Sequence, residues 1–337
     1  MMPFDKHRAS VFVVTSPFQA LCAAAAINQL EIEDYLLIAL LPDNEVRNDQ
    51  LLGFLEQQQL HYTAIGTNNS SREMRVLQLK ALVKKKNRYS RLFVGDFRNM
   101  TELYVGCSYI SDKSDVIYLD DGNFTVSVLK NIVSFHETGK YLKLLSRLRK
   151  IKLFTNLLTI YGDIPNNKYC IEPLYLKYVM NDKVGKETKS KGGVYIVGTN
   201  MRLYCKSVGI TEDQYISQLD IFLKRLKNDY QDEELVFIPH GRDTSEYAKE
   251  LCNIYGIEFR PSETMIELAL LNQPKVPAAI YGNTSSALFN LQKMFPDTAV
   301  YNVLYEPTVM GPGYQVYLAL SDYYESNGIL LSKISLS

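Results

Sequence analysis

Val11-Phe12-Val13-Val14-Thr15-Ser16-Pro17-Phe18-Gln19 is the stretch that decides the fold. Four consecutive apolar residues, three of them β-branched, read as a strand buried on both faces. Ser16 then offers a side-chain cap and Pro17 occupies a first helical position, where its missing N–H costs nothing. The apolar run 20–27 continues the helix and is too short and too Ala-rich to span a bilayer. A buried strand feeding directly into a helix is the opening unit of a parallel α/β sheet.

The same unit recurs downstream. Residues 35–40, 61–65, 91–95 and 115–119 read as strands, with a helical stretch over 71–86 among the intervening segments. A polar, Lys-rich segment containing Gly185 and Gly192 interrupts the pattern and reads as a linker over 181–192. The alternation restarts with strands expected at 194–197, 235–238, 257–260, 278–281 and 299–304, and helices at 245–255 and 286–294. The expected fold class is therefore α/β, with two Rossmann-like domains (1–180 and 193–337) whose parallel sheets face a central cleft. No internal sequence repeat is visible.

Composition narrows the function. The chain has 337 residues, about two domains' worth, and equal numbers of acidic and basic side chains, 37 each. A formal net charge of zero gives no global drive toward nucleic acid. The five cysteines are scattered, form no CxxC pair and read as neither a zinc site nor a disulfide framework. With no secretory signal pattern, the expected location is cytoplasmic, with peripheral contact at the inner membrane as an open addition. Residues 141–160 interleave Leu142, Leu145, Leu148, Leu153 and Leu157 with Lys143, Arg147, Arg149, Lys150 and Lys152. This reads as a basic amphipathic helix, able to touch an anionic membrane or simply to join the domains.

Three short pieces carry chemistry, and each follows an expected strand, where open α/β sheets bind their ligands. Asp120-Asp121-Gly122 offers a carboxylate pair beside a glycine turn. General base, metal ligand and helix cap are all open readings for it, and alternation along an extended chain turns only one carboxylate toward the cleft. Pro239-His240-Gly241-Arg242 offers an imidazole and a guanidinium at a turn. Asn283-Thr284-Ser285-Ser286 offers hydroxyls and N–H groups at a helix start, a setting that favours an anion. Gly198-Thr199-Asn200 is a weaker loop of the same kind. Walker, GxGxxG and GxSxG patterns are all missing, which lowers P-loop NTPases, classical dehydrogenases and α/β-hydrolases.

In this order the motifs resemble those of the bacterial sialyltransferases, in particular the lipooligosaccharide sialyltransferase and capsule polysialyltransferase group. That group shares an acidic-Asp-Gly motif, a His-Pro motif and a Ser-Ser or Ser-Thr motif. Asp120-Asp121-Gly122 matches the first and Ser285-Ser286 the third, while Thr15-Ser16-Pro17-Phe18-Gln19 is similar to the Ser-Pro-Leu-Gln stretch that opens many members. The second departs from the pattern: His240 is followed by Gly241, with Pro239 on the other side.

The resemblance implies a glycosyltransferase-B architecture and an inverting transfer from a CMP-activated nine-carbon sugar, usually CMP-Neu5Ac, with no cofactor or metal required. It implies Asp121 as general base, Asp120 as its support and His240 as the group that stabilises departing CMP. Ser285 and Ser286, with Thr284, Asn283, Gly198, Thr199, Asn200, Arg242 and Ser16, would contact the CMP-sugar, and Glu263 would meet the ribose hydroxyls. The implied acceptor is a galactoside, on lipooligosaccharide or a lipid-linked repeat. A homodimer is expected, and no nucleic-acid partner.

Overall fold

The computed structural model describes residues 4–5, 7–66, 89–96, 99–131, 153, 155–179, 191–241, 243, 245–306 and 312–335. The chain divides into two compact units, Met1–Asn181 and Asp182–Ser337.

The first unit is built on strands β1 (Ser10–Val14), β2 (Tyr35–Leu41), β3 (Tyr62–Gly66), β4 (Tyr89–Val94), β5 (Ile110–Tyr118), β6 (Asn156–Thr159) and β7 (Cys170–Pro173). They form one sheet in the order β3-β2-β1-β4-β5-β6-β7, with every strand pair parallel. Helices α1 (Pro17–Gln29), α2 (Glu45–Gln57), α3 (Met100–Cys107) and α4 (Asn123–Leu129) belong to this unit. Val11, Phe12, Val13 and Val14 are all fully buried, as a strand covered on both faces must be. Ser16 caps α1 by accepting from the Gln19 N–H at 3.2 Å, with Pro17 in the first turn. Five alanines and Cys22, between Ala20 and Ala26 of α1, are buried alongside Leu21, small side chains that let the helix pack close to its neighbours.

The second unit repeats the plan. Its strands are β8 (Val194–Val197), β9 (Leu235–Ile238), β10 (Glu258–Phe259), β11 (Ala279–Gly282), β12 (Ala299–Glu306) and β13 (Leu330–Ser335). The sheet order is β10-β9-β8-β11-β12-β13, again all parallel. Its helices are α5 (Met201–Val208), α6 (Glu212–Asp229), α7 (Tyr247–Tyr255), α8 (Ile266–Leu271), α9 (Ser286–Met294) and α10 (Pro312–Ser326). The core runs between the sheet and α5–α7; inside it Tyr305 meets Tyr204 and Tyr215 edge to face, and those two are tilted against each other. Many of the chain's tyrosines are thus core residues rather than ligand surface.

Two Rossmann-like units with parallel sheets are the glycosyltransferase-B plan expected from the sequence. The expected helix over 141–160 needs correction at its C-terminal end. Asn156–Thr159 is a strand, paired with Ile117 and Tyr118 on one side and Cys170 to Pro173 on the other. Leu157 and Leu158 are both buried, so the two faces of a central strand, not one face of a helix, take these leucines. Residues 141–152, the expected helix over 71–86 and the linker residues 181–190 lie outside the described residues. Among the described residues, no helix is long and apolar enough to cross a membrane.

Candidate functional site

Both sheets reverse their strand order beside their first strand, between β1 and β4 in one unit and between β8 and β11 in the other. At such a switch point the chain leaves adjacent strand ends in opposite directions, which opens a crevice at the carboxyl edge.

In the first unit, the residues at this edge are joined by buried carboxylates. Glu102, in the first turn of α3, is fully buried. One of its oxygens accepts from the backbone N–H groups of Gly95 and Asp96, at 3.1 and 3.0 Å. The other accepts from Asn99 Nδ2 at 3.0 Å and the Thr15 hydroxyl at 2.9 Å. Glu102 therefore ties the end of β4 to the end of β1. Gln19 completes the tie: its Oε1 accepts from the Thr15 N–H at 2.7 Å and stands 2.9 Å from the Thr15 hydroxyl. Burial pushes this carboxyl up to about 8, and the nearby charges of Asp96 and Asp121 act in the same direction.

Asp120 and Asp121 follow β5 and differ in environment. Asp120 is fully buried and turned toward β6. It pairs with the Thr159 hydroxyl at 2.5 Å and accepts from the Ile160 N–H at 2.8 Å. Burial pushes its carboxyl up to about 7, against the pull of these hydrogen bonds. Asp121 is half-buried at the sheet edge, and its backbone N–H donates to Thr125 Oγ1 at 3.0 Å. Its carboxylate is close enough to raise both Glu102 and Asp120 electrostatically. The N-cap position of α4 falls to the residue after the pair. Gly122 holds that position, with φ of 59° and no side-chain cap bond. Ser16, the cap of α1, sits half-buried at the end of β1.

In the second unit, three predicted loops converge. Gly198 follows β8, His240 follows β9, and Asn283 to Ser286 follow β11, with β8 lying between the other two strands. The Gly198 N–H donates to the Ile238 carbonyl at 2.8 Å. A Cβ on Gly198 would stand 3.1 Å from the His240 backbone nitrogen, so glycine lets these two chain segments touch. Asn200 caps α5 through the Leu203 N–H at 3.0 Å, and Thr199 is half-buried beside it. His240 is half-buried, and its carbonyl accepts from the Asp243 N–H at 2.8 Å. Arg242 lies outside the described residues.

Ser285 caps α9, its hydroxyl accepting from the Ala287 N–H at 3.3 Å. Its carbonyl accepts from the Tyr324 hydroxyl at 2.9 Å. Asn283 is buried, and its Nδ2 donates to the Val303 carbonyl at 2.8 Å. Thr284 is buried with φ of 39°, and its N–H is taken by Asn302 Oδ1 at 2.7 Å. The N–H groups of Ser285 and Ser286 have no partner among the described residues and stand at a helix start, where an anion is favoured. Ser286 is half-buried and can add its hydroxyl. Glu263 is exposed in the loop after β10, the strand next to β9 at the edge of this sheet.

Among the described residues, no group of three or more His, Cys, Asp or Glu side chains is arranged to hold a metal ion. Sequence reasoning missed Glu102 because Asn99 and Glu102 fit the N-cap and third positions of a capping box, an ordinary helix start. It missed Asn302 as well, although a lone Asn inside the apolar run of β12 was a usable signal.

No protein-family model matches the chain, and no curated protein sequence matches it. Among solved structures it is similar to S. aureus MnaA determined with UDP, at 11% identity and a TM-score of 0.52, over 94% of this chain and 88% of that one. It is also similar to a UDP-GlcNAc 2-epimerase from Neisseria meningitidis bound to UDP-GlcNAc, at 8% identity and a TM-score of 0.52, over 95% of this chain and 92% of that one. What these proteins share with this chain is the fold.

Proposed function

We propose that this protein is an inverting sialyltransferase. It moves N-acetylneuraminic acid from CMP-Neu5Ac to a galactoside of a bacterial surface glycan, lipooligosaccharide or a lipid-linked O-antigen repeat, in α2,3 linkage. The observation that carries the reading is the convergence of Gly198, His240 and the Ser285–Ser286 N–H pair at the switch point of the second sheet. Open N–H groups at a helix start, a hydroxyl and an imidazole suit a nucleotide phosphate. The resemblance of the three sequence motifs supports CMP as the nucleotide.

The roles follow from charge. The acceptor hydroxyl oxygen bonds to the anomeric carbon as the bond from that carbon to the CMP phosphate oxygen breaks. CMP leaves with the electron pair, and negative charge grows on its phosphate. Fixed donors at Ser285, Ser286 and His240 act where that charge develops, each worth about 3 kcal/mol in the barrier. Asp121, the accessible carboxylate of its pair, takes the acceptor proton. General-base help of this kind contributes roughly 10²–10⁴-fold. Asp120, buried against Thr159, fixes the strand end from which Asp121 projects. No cofactor or metal has a role in this scheme.

A second reading is favoured by the solved structures of similar fold that hold UDP or UDP-GlcNAc. In it the same phosphate site takes a UDP-sugar, for transfer or for epimerisation. Competition between CMP, UDP and GDP, measured by calorimetry on the full chain, separates the two. Selective CMP binding is expected; selective UDP binding moves the protein to the second reading.

A further inference from the structure

Thr284 has a backbone conformation that its own side chain disfavours. Its φ of 39° lies in the left-handed region, which a β-branched residue rarely occupies. Strain of this kind persists only where the surroundings over-determine it. Here the surroundings can be named. Asn302, fully buried on β12, accepts both the Thr284 N–H at 2.7 Å and the Thr284 hydroxyl at 3.1 Å through Oδ1. Asn302 Nδ2 donates to Ser321 Oγ at 2.8 Å, and the Ser321 hydroxyl donates to the Tyr317 carbonyl at 2.8 Å on α10. The Asn302 amide is thereby fixed in orientation, with its oxygen toward the loop. Tyr324, on the same helix, holds the next carbonyl, that of Ser285.

The consequence falls on the two residues that follow. With its N–H drawn inward to Asn302, Thr284 turns the chain so that the N–H groups of Ser285 and Ser286 open the helix without a partner among the described residues. We propose that Asn302 is a positioning residue for phosphate binding: it holds Thr284 in the left-handed conformation that aims the Ser285 and Ser286 N–H groups at a nucleotide phosphate. The ligand half of this proposal rests on the phosphate site described under the proposed function. The conformational half stands on the Asn302–Thr284 geometry alone.

The test is a double-mutant cycle of Asn302→Ala and Thr284→Gly in the full chain, read by CMP and UDP titration and by urea unfolding. Glycine reaches positive φ without help, so Asn302 should matter less in its presence. Asn302→Ala alone is expected to weaken nucleotide binding at least tenfold and to lower the unfolding midpoint. In the Thr284→Gly chain the same substitution should cost less than half as much in each readout. Equal costs in the two backgrounds would overturn the proposal, because they are the signature of lost packing alone. If Asn302→Ala does not fold beside Thr284, it must fold beside Gly; failure in both backgrounds also overturns it. A wild-type chain that binds neither CMP nor UDP removes the functional reading and the ligand half together, and the unfolding cycle then decides the conformational half by itself.

Discussion

Asp120 and Asp121 are chain neighbours with different work. One is sealed against Thr159 and Ile160, and the other is half-open at the sheet edge. Strand alternation made that division legible in the sequence, because adjacent side chains leave an extended backbone on opposite sides. Glu102 was not legible, since Asn99 to Glu102 reads as an ordinary helix start and the Thr15 hydroxyl, 87 positions away, is brought to it only by the sheet. Both buried carboxyls carry a pH signature. Burial raises Asp120 to about 7 and Glu102 to about 8, above a free carboxylate near 4. Between those limits the folded state keeps protons that the unfolded chain has lost. Their contribution to stability is therefore complete below pH of about 4, declines as pH rises, and is gone above about 8. Urea unfolding across this range should show the wild type losing stability toward pH 8 more steeply than Asp120→Asn or Glu102→Gln. An unchanged slope in both variants would show that neither group binds a proton on folding.

At the level of elements, the strand ends matter more than the strands. The runs 194–197 and 235–238 were legible in full, because fully apolar tetrads bounded by Gly and Pro have one simple reading. Asn156–Thr159 was not, because its leucines continue the spacing of the basic stretch before them. The loop after β11 was legible as a hydroxyl-rich helix start, whereas its inward anchor on β12 was not, since that contact spans 18 positions in the chain. The close approach of β8 to the end of β9 gives a direct test. Gly198→Ala would place a Cβ 3.1 Å from both the His240 nitrogen and the Ile238 oxygen, backbone atoms that cannot swing aside. This substitution should shift His240 and weaken CMP binding severalfold, while circular dichroism stays that of a folded α/β chain. Unchanged affinity would mean that the Gly198–His240 contact does not shape the phosphate site.

At the scale of the whole chain, two units each run first strand, second strand, third strand outward on one side and fourth strand onward on the other. This duplication of plan was readable as two rounds of strand and helix, even though no residue pattern repeats. Burial can be satisfied by many apolar combinations, so the plan can recur while the sequences differ. The expected chemistry is divided between the units: an acceptor-side carboxylate at Asp121 and a donor-phosphate site at His240, Ser285 and Ser286. The most direct test is incubation of the full chain with CMP-Neu5Ac and a panel of β-galactosides in EDTA, read by mass spectrometry, with Asp121→Ala alongside. A sialylated galactoside with release of CMP, lost in Asp121→Ala, is the expected result. A folded wild-type protein that neither sialylates any acceptor nor releases CMP would contradict the account.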